Sequence, residues 1–253
     1  MDAGPLVIGL DIAASRPCVA VALRCGRTLE AVDWRAADER EPGDRGRLLD
    51  WLVGLQPAVV GIDAPQRPKR ALPAAGPRSR TCDTALLHRR IAVYQVPTRA
   101  EAEDKARRYA WMRTGWAYFK ELRRRGYEAP DPGALPGALG QAPAALEVYP
   151  HAGFVTLLGG TPPPKTTREG LRLRVLALRR LGLHWDGYYD HDSLDALMAA
   201  FIAWRFLQGL ASPVGDERDG CIWLPVTAAE LRPTYPPLTP RAAHDALARL
   251  GER

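Results

Sequence analysis

The sequence predicts an α/β protein built on a mixed sheet, and three observations carry that reading. Three short β-rich runs fill residues 6–36 with only turn-length gaps between them, which makes them an antiparallel meander. A helical pattern of about three turns comes next, and the apolar run behind it must then cross over and lie parallel to an earlier strand. Finally, "LVIGLDIA" and "VVGIDAPQ" state almost the same phrase, each an apolar strand ending on an aspartate, Asp11 and Asp63.

Taken in order, "LVIGLDIA", "CVAVALRC" and "TLEAVDWRA" are the meander, "DRGRLLDWLVGL" is the helix and "AVVGIDAPQ" is the fourth strand. "QRPKRALPAAGPRSR" reads as a Pro- and Arg-rich loop, followed by the helical stretches "TCDTALLHRRI" and "AEAEDKARRYAWMRTGWAYFKELRRRGY". The second stretch places Tyr109, Met112, Trp116 and Phe119 at helical spacing as a packing face, with Arg107, Arg113 and Arg123 to Arg125 largely off it. "APDPGALPGALGQAP" is a flexible return to a fifth strand, "AALEVYPHAGF". Residues 67–143 therefore form a basic, mainly helical insertion in a core spanning 1–226.

Beyond the fifth strand, "TREGLRLRVLALRRLGL" is an amphipathic basic helix, and "HDSLDALMAAFIAWRFLQG" is apolar nearly all round and should be buried. "GDERDGCIWLP" looks like a turn and a last short strand. Residues 227–253 read as a Pro-rich linker and a helix opening at Thr239 and Pro240, an N-cap followed by an N1 proline.

Composition narrows the class. Four cysteines without CxxC spacing fit a reduced, cytoplasmic protein rather than a disulfide scaffold, and nothing at the N-terminus resembles a signal peptide. No apolar run is long enough for a membrane span. The net charge of +6 hides an asymmetry: residues 67–126 hold 16 Lys and Arg against 5 Asp and Glu, so the insertion is cationic and the remainder acidic. A cationic lobe attracts phosphates, although a solvated helix surface has the same composition. The apolar helices and the aromatic-rich insertion also leave room for a homodimer face.

Acids stand where a core should be apolar: Asp11, Asp63, Glu147 in "LEVYP", and Asp192 with Asp195 at the start of the buried helix. If the first and fourth strands are parallel neighbours, Asp11 and Asp63 share the carboxyl end of the sheet, where ligands bind in such folds. Two carboxylates about 4 Å apart repel by roughly 4 kcal/mol at an effective dielectric near 20, so a buried cluster calls for a cation. Oxygen donors without thiolate or imidazole favour Mg²⁺ or Mn²⁺, and such ions suit hydrolysis of a phosphodiester by activated water. Each acid has a structural alternative: an N-cap for Asp192, a capping-box role for Asp195, a turn cap through Ser15 for Asp11, an Asx turn before proline for Asp63, an arginine partner for Glu147. His191 is a proton shuttle or part of the cap.

The ordered phrases "GLDIA", "GIDAPQ", "RTCDTALL", "LEVYPHAGF", "HDSLDALMAA" and "GDERDGCIWLP" resemble the family called domain of unknown function 429, whose members are predicted to be ribonuclease H-like nucleases. The resemblance implies a ribonuclease H-like five-stranded mixed sheet flanked by helices. It further implies a metal site of Asp11, Asp63, Asp192 and Asp195 with Glu147 as a further catalytic acid, a nucleic-acid substrate, and phosphate contacts or structural roles for Arg80, Asp83, Lys165 and Arg174. Actin-like or sugar-kinase phosphoryl chemistry is the alternative enzyme class, but "DIAASRP" and "DAPQRPK" lack the glycines that cradle nucleotide phosphates. Nucleic-acid binding without turnover is the third class.

Overall fold

The computed structural model describes residues 4–71, 79–133, 142–187 and 189–251. Much of the Pro- and Arg-rich loop before Arg80 and of the Gly- and Pro-rich return before Ala144 lies outside them. A mixed sheet of eight strands, in the order β6-β3-β2-β1-β4-β5-β8-β7, is flanked by helices on both faces.

The meander is β1 (Leu6–Asp11), β2 (Cys18–Cys25) and β3 (Leu29–Ala37), each antiparallel to the next. Helix α1 (Asp44–Gly54) carries the chain across to β4 (Val59–Asp63), which pairs with β1 in parallel. β5 (Ala144–Val148) pairs in parallel with β4. A five-stranded sheet was expected and eight strands are present among the described residues. β8 (Gly220–Leu224), beside β5, is the short strand read in "GDERDGCIWLP"; the further additions are the two-residue β6 (Leu183–His184) beside β3, and β7 (Ser212–Asp216), which forms a hairpin with β8. β7 was missed because "SPVGD" contains a proline and a glycine, residues that weaken a strand pattern; it forms an edge strand, where a missing N–H donor is tolerated.

A second correction concerns "AALEVYPHAGF". The strand stops at Val148, and Pro150 opens helix α5 (Pro150–Leu158) as its first residue, where its missing N–H leaves no bond unmade. The insertion contains α2 (Thr81–His88), α3 (Arg99–Asp104) and α4 (Ala110–Arg124). One long helix was expected from residue 100, but turns over 105–109 separate α3 from α4. The packing face of α4 is accordingly Met112, Gly115, Tyr118, Phe119 and Leu122, with Tyr109 and Trp116 only half-buried.

Helix α6 (Arg168–Arg180) and α7 (His191–Leu207) follow, and α8 (Pro240–Leu250) is capped by Thr239, whose Oγ1 accepts from Ala242 N. Ala246 and Leu250 of α8 and Tyr235 before it belong to the buried core. No helix among the described residues is long and apolar enough to cross a membrane.

The repeated phrase now has a physical explanation for its glycine. Gly9 and Gly61 pair in register on β1 and β4, and α7 crosses directly over them. A Cβ on Gly9 would come 1.9 Å from Ala196 O, and one on Gly61 would come 2.3 Å from Ala199 O. The strands lack side chains there and α7 offers only alanines, so helix and sheet approach until backbone meets backbone. That close seat, two residues before each strand-end aspartate, delivers the start of α7 to Asp11 and Asp63.

Candidate metal centre

Asp11 and Asp63 end parallel neighbours and stand side by side in the β1–β4 register. Because side chains alternate along a strand, both project on the same face as Gly9 and Gly61, the face α7 covers. Asp195 lies in the second turn of α7 and completes the group. One carboxylate oxygen from each of Asp11, Asp63 and Asp195 lies within 4.8 Å of the others. Asp11 and Asp195 are buried and Asp63 is partly so.

Burial and mutual repulsion dominate the electrostatics. Burial, then the charges of Asp63, Asp195 and Asp192, hold the Asp11 carboxyl well above its ordinary range. Burial and Asp195 push Asp63 up to about 8. Burial also raises Asp195, against the pull of Lys165, whose ammonium donates to Asp195 Oδ2. Burial works against the charge on Lys165 too, but Asp195, Asp11 and Asp63 outweigh it and hold the lysine above its usual range. The triad is thus short of positive charge. Its donors are all carboxylate oxygens, with no thiolate or imidazole in the group, a set that fits a hard divalent cation.

The site opens into a cleft of about 1180 Å³ that also reaches Glu147, Lys165, Arg174 and His191. A family model described as a protein of unknown function, DUF429, matches residues 9–219. The chain belongs to the DUF429 family. No curated protein and no solved structure matches it.

The other acids of this DUF429 chain have separate partners. Asp192 is buried beside the triad but grips Arg16, which donates through Nε and Nη2, the latter at 2.5 Å from Oδ1. The same Nη2 lies 3.4 Å from Asp11 Oδ2, and His191 Nδ1 sits 2.5 Å from Asp192 Oδ1. Neither Asp192 nor Asp195 caps the helix. Asp190 is the N-cap, accepting from Ser193 N at 2.8 Å, so Asp195 faces the cleft and Asp192 is left to Arg16 and His191.

Glu147 does not join the triad. It pairs in register with Ile62 rather than Asp63, and alternation turns it to the opposite face of the sheet. There Arg80 donates to it at 2.7 and 3.0 Å while holding Asp83 at 2.9 and 3.0 Å. Arg80, Asp83 and Glu147 are all buried, and Arg80 is the shared ion-pair partner of the two carboxylates. Glu147 Oε2 also accepts from Gln66 N at 2.7 Å, pinning the backbone three residues after Asp63.

Arg174 is buried, donates Nη1 to Pro163 O and Gly170 O, and lies over the Phe154 ring. Its Nε has no hydrogen-bond partner among the described residues. Beside Lys165 and Arg174, burial and those two cations depress the His151 imidazole to about 4, so it is neutral at physiological pH. Sequence reasoning missed Arg16 and His151. Arg16 sits in the turn after β1 with no periodicity to flag it, and His151 lies in a segment read as strand.

Proposed function

We propose that this protein is a divalent-metal-dependent nuclease, hydrolysing phosphodiesters on a ribonuclease H-like core. The observation that carries the reading is the convergence of Asp11, Asp63 and Asp195 within 4.8 Å at the carboxyl ends of adjacent parallel strands. The strand order β3-β2-β1-β4-β5, with β2 alone antiparallel, supports the core assignment. Asp11, Asp63 and Asp195 would hold Mg²⁺ or Mn²⁺, with the buried Asp192 beside them. The cation supplies an activated water and neutralises charge on a phosphoryl oxygen.

The chain's own residues do the rest. Asp11, Asp63 and Asp195 would hold the cation at the end of the sheet, and the glycine-seated α7 keeps their carboxylates together. Lys165 pairs with Asp195 and, with a cation held by the triad, would be free to turn to a substrate phosphate. Arg174, with its unused Nε, offers the same phosphate a second donor. His191, held on Asp192 at the cleft, is a group through which a proton can leave. The cationic insertion binds backbone phosphates with little sequence preference, so affinity falls steeply with salt.

The test is incubation with Mg²⁺ or Mn²⁺ and a labelled panel of single-stranded, duplex, hybrid and branched DNA and RNA, with Asp11→Asn and Asp63→Asn alongside. Metal-dependent cleavage lost in both variants is the expected result. Binding without cleavage at any metal concentration would refute turnover and leave a nucleic-acid-binding protein.

A further inference from the structure

One part of the cleft is unused by the carboxylates. Tyr94 is 68 % exposed, more than any other large hydrophobic side chain among the described residues. Its ring meets Trp111 edge-on, with centroids 5.6 Å apart and planes at 71°. Both rings line the same cleft as Asp11, Asp63 and Asp195, and so does the Arg107 side chain. Trp111 stands in the first turn of α4 and Tyr94 in the segment joining α2 to α3, so two stretches of the insertion converge to make this rim.

An exposed ring alone needs no explanation. An aromatic pair with cationic neighbours on the lip of a phosphodiester-binding cleft is a different matter. An edge-on contact leaves ring face open to solvent, and a ring face is what an unpaired base stacks on, with arginines following the strand's phosphates. Bases inside a duplex have their faces covered by neighbouring pairs and cannot use such a rim.

We propose that Tyr94 and Trp111 stack an unpaired nucleobase of a single-stranded DNA or RNA whose backbone passes into the carboxylate cleft. This rests on the phosphodiester reading above and narrows its substrate to strands with exposed bases.

The test is equilibrium binding of fluorescent single-stranded DNA, single-stranded RNA and duplex DNA of one sequence, with Ca²⁺ replacing Mg²⁺ or Mn²⁺, to the wild type and to Tyr94→Leu and Tyr94→Phe. Tyr94 is so exposed that neither substitution threatens folding. Single strands should bind more tightly than duplex, Tyr94→Leu should weaken them roughly tenfold, and Tyr94→Phe should stay near wild type. Scanning one abasic position along the strand adds an independent readout. One position should cost the wild type about as much as Tyr94→Leu does, and cost that variant almost nothing further. Equal affinity for strand and duplex, or Tyr94→Leu binding like wild type, would overturn the stacking site while metal-dependent cleavage stood. Failure of the wild type to bind any of the three would overturn this proposal and the nuclease reading together. Comparing the DNA and RNA arms decides which strand the rim prefers.

Discussion

Raising the pH of the cation-free protein through neutrality should destabilise it, and the size of the effect follows from the carboxylate triad. Asp63 titrates near 3.8 when unfolded and near 8 in the folded chain. Between those values the native state holds a proton that the unfolded chain has lost, so stability falls as pH rises. Asp11 and Asp195 are shifted in the same direction. His151 works the other way: depressed from 6.5 to about 4, it adds stability as pH rises between those values and nothing above them. The clean window therefore begins at about pH 6.5. From there to pH 8 the raised Asp63 accounts for a loss of about 2 kcal/mol, at about 1.4 kcal/mol per pKa unit; its partial exposure makes this an upper figure. Guanidinium unfolding in EDTA at pH 6.5, 7.5 and 8.5 measures it. Asp63→Asn should make the profile shallower by the Asp63 share, and wild type with saturating Mn²⁺ should be flat, because the cation has displaced the protons. A wild-type profile in EDTA that is level or rising, or a slope in Asp63→Asn as steep as that of the wild type, would refute the reasoning.

Four other outcomes follow from the packing and the ion pairs. Gly9→Ala and Gly61→Ala should each cost more than about 3 kcal/mol in chemical denaturation, since the added methyl meets α7 backbone. Gly46→Ala, in helix α1 with nothing within 4 Å, should instead be neutral or stabilising by about 0.5–1 kcal/mol. Glu147→Gln should destabilise the fold by about 1–2 kcal/mol, because Arg80 loses one of its two buried carboxylate partners and keeps Asp83, yet leave Mn²⁺ affinity in calorimetry within about threefold, while Asp11→Asn and Asp63→Asn abolish binding. Lys165→Met removes the counter-charge of Asp195; allowing for the half-solvated lysine, about 2 kcal/mol is lost in EDTA, or about 4–8 °C in melting temperature. Mn²⁺ should restore most of that loss in a thermal-shift assay.

The sequence by itself determined the sheet's centre and the two acids at its end. Period-two runs, turn-length gaps and a helix-length crossover are local signals, and they placed β1 to β4 to within three residues at each end and set Asp11 beside Asp63. An all-round apolar helix with two early aspartates is equally local, and it located α7. Tertiary structure alone decided which acids meet. Asp195 reaches the strand ends because Gly9 and Gly61 let α7 sit against the sheet, whereas Glu147, one register step from Asp63, is turned through the sheet to Arg80. The same holds for the cap that Asp190 supplies, for Arg16 folding back onto Asp192, and for Tyr94 meeting Trp111 across seventeen residues of chain. None of these has a period or a fixed offset, because each is a contact between elements whose relative placement depends on how closely backbones can approach.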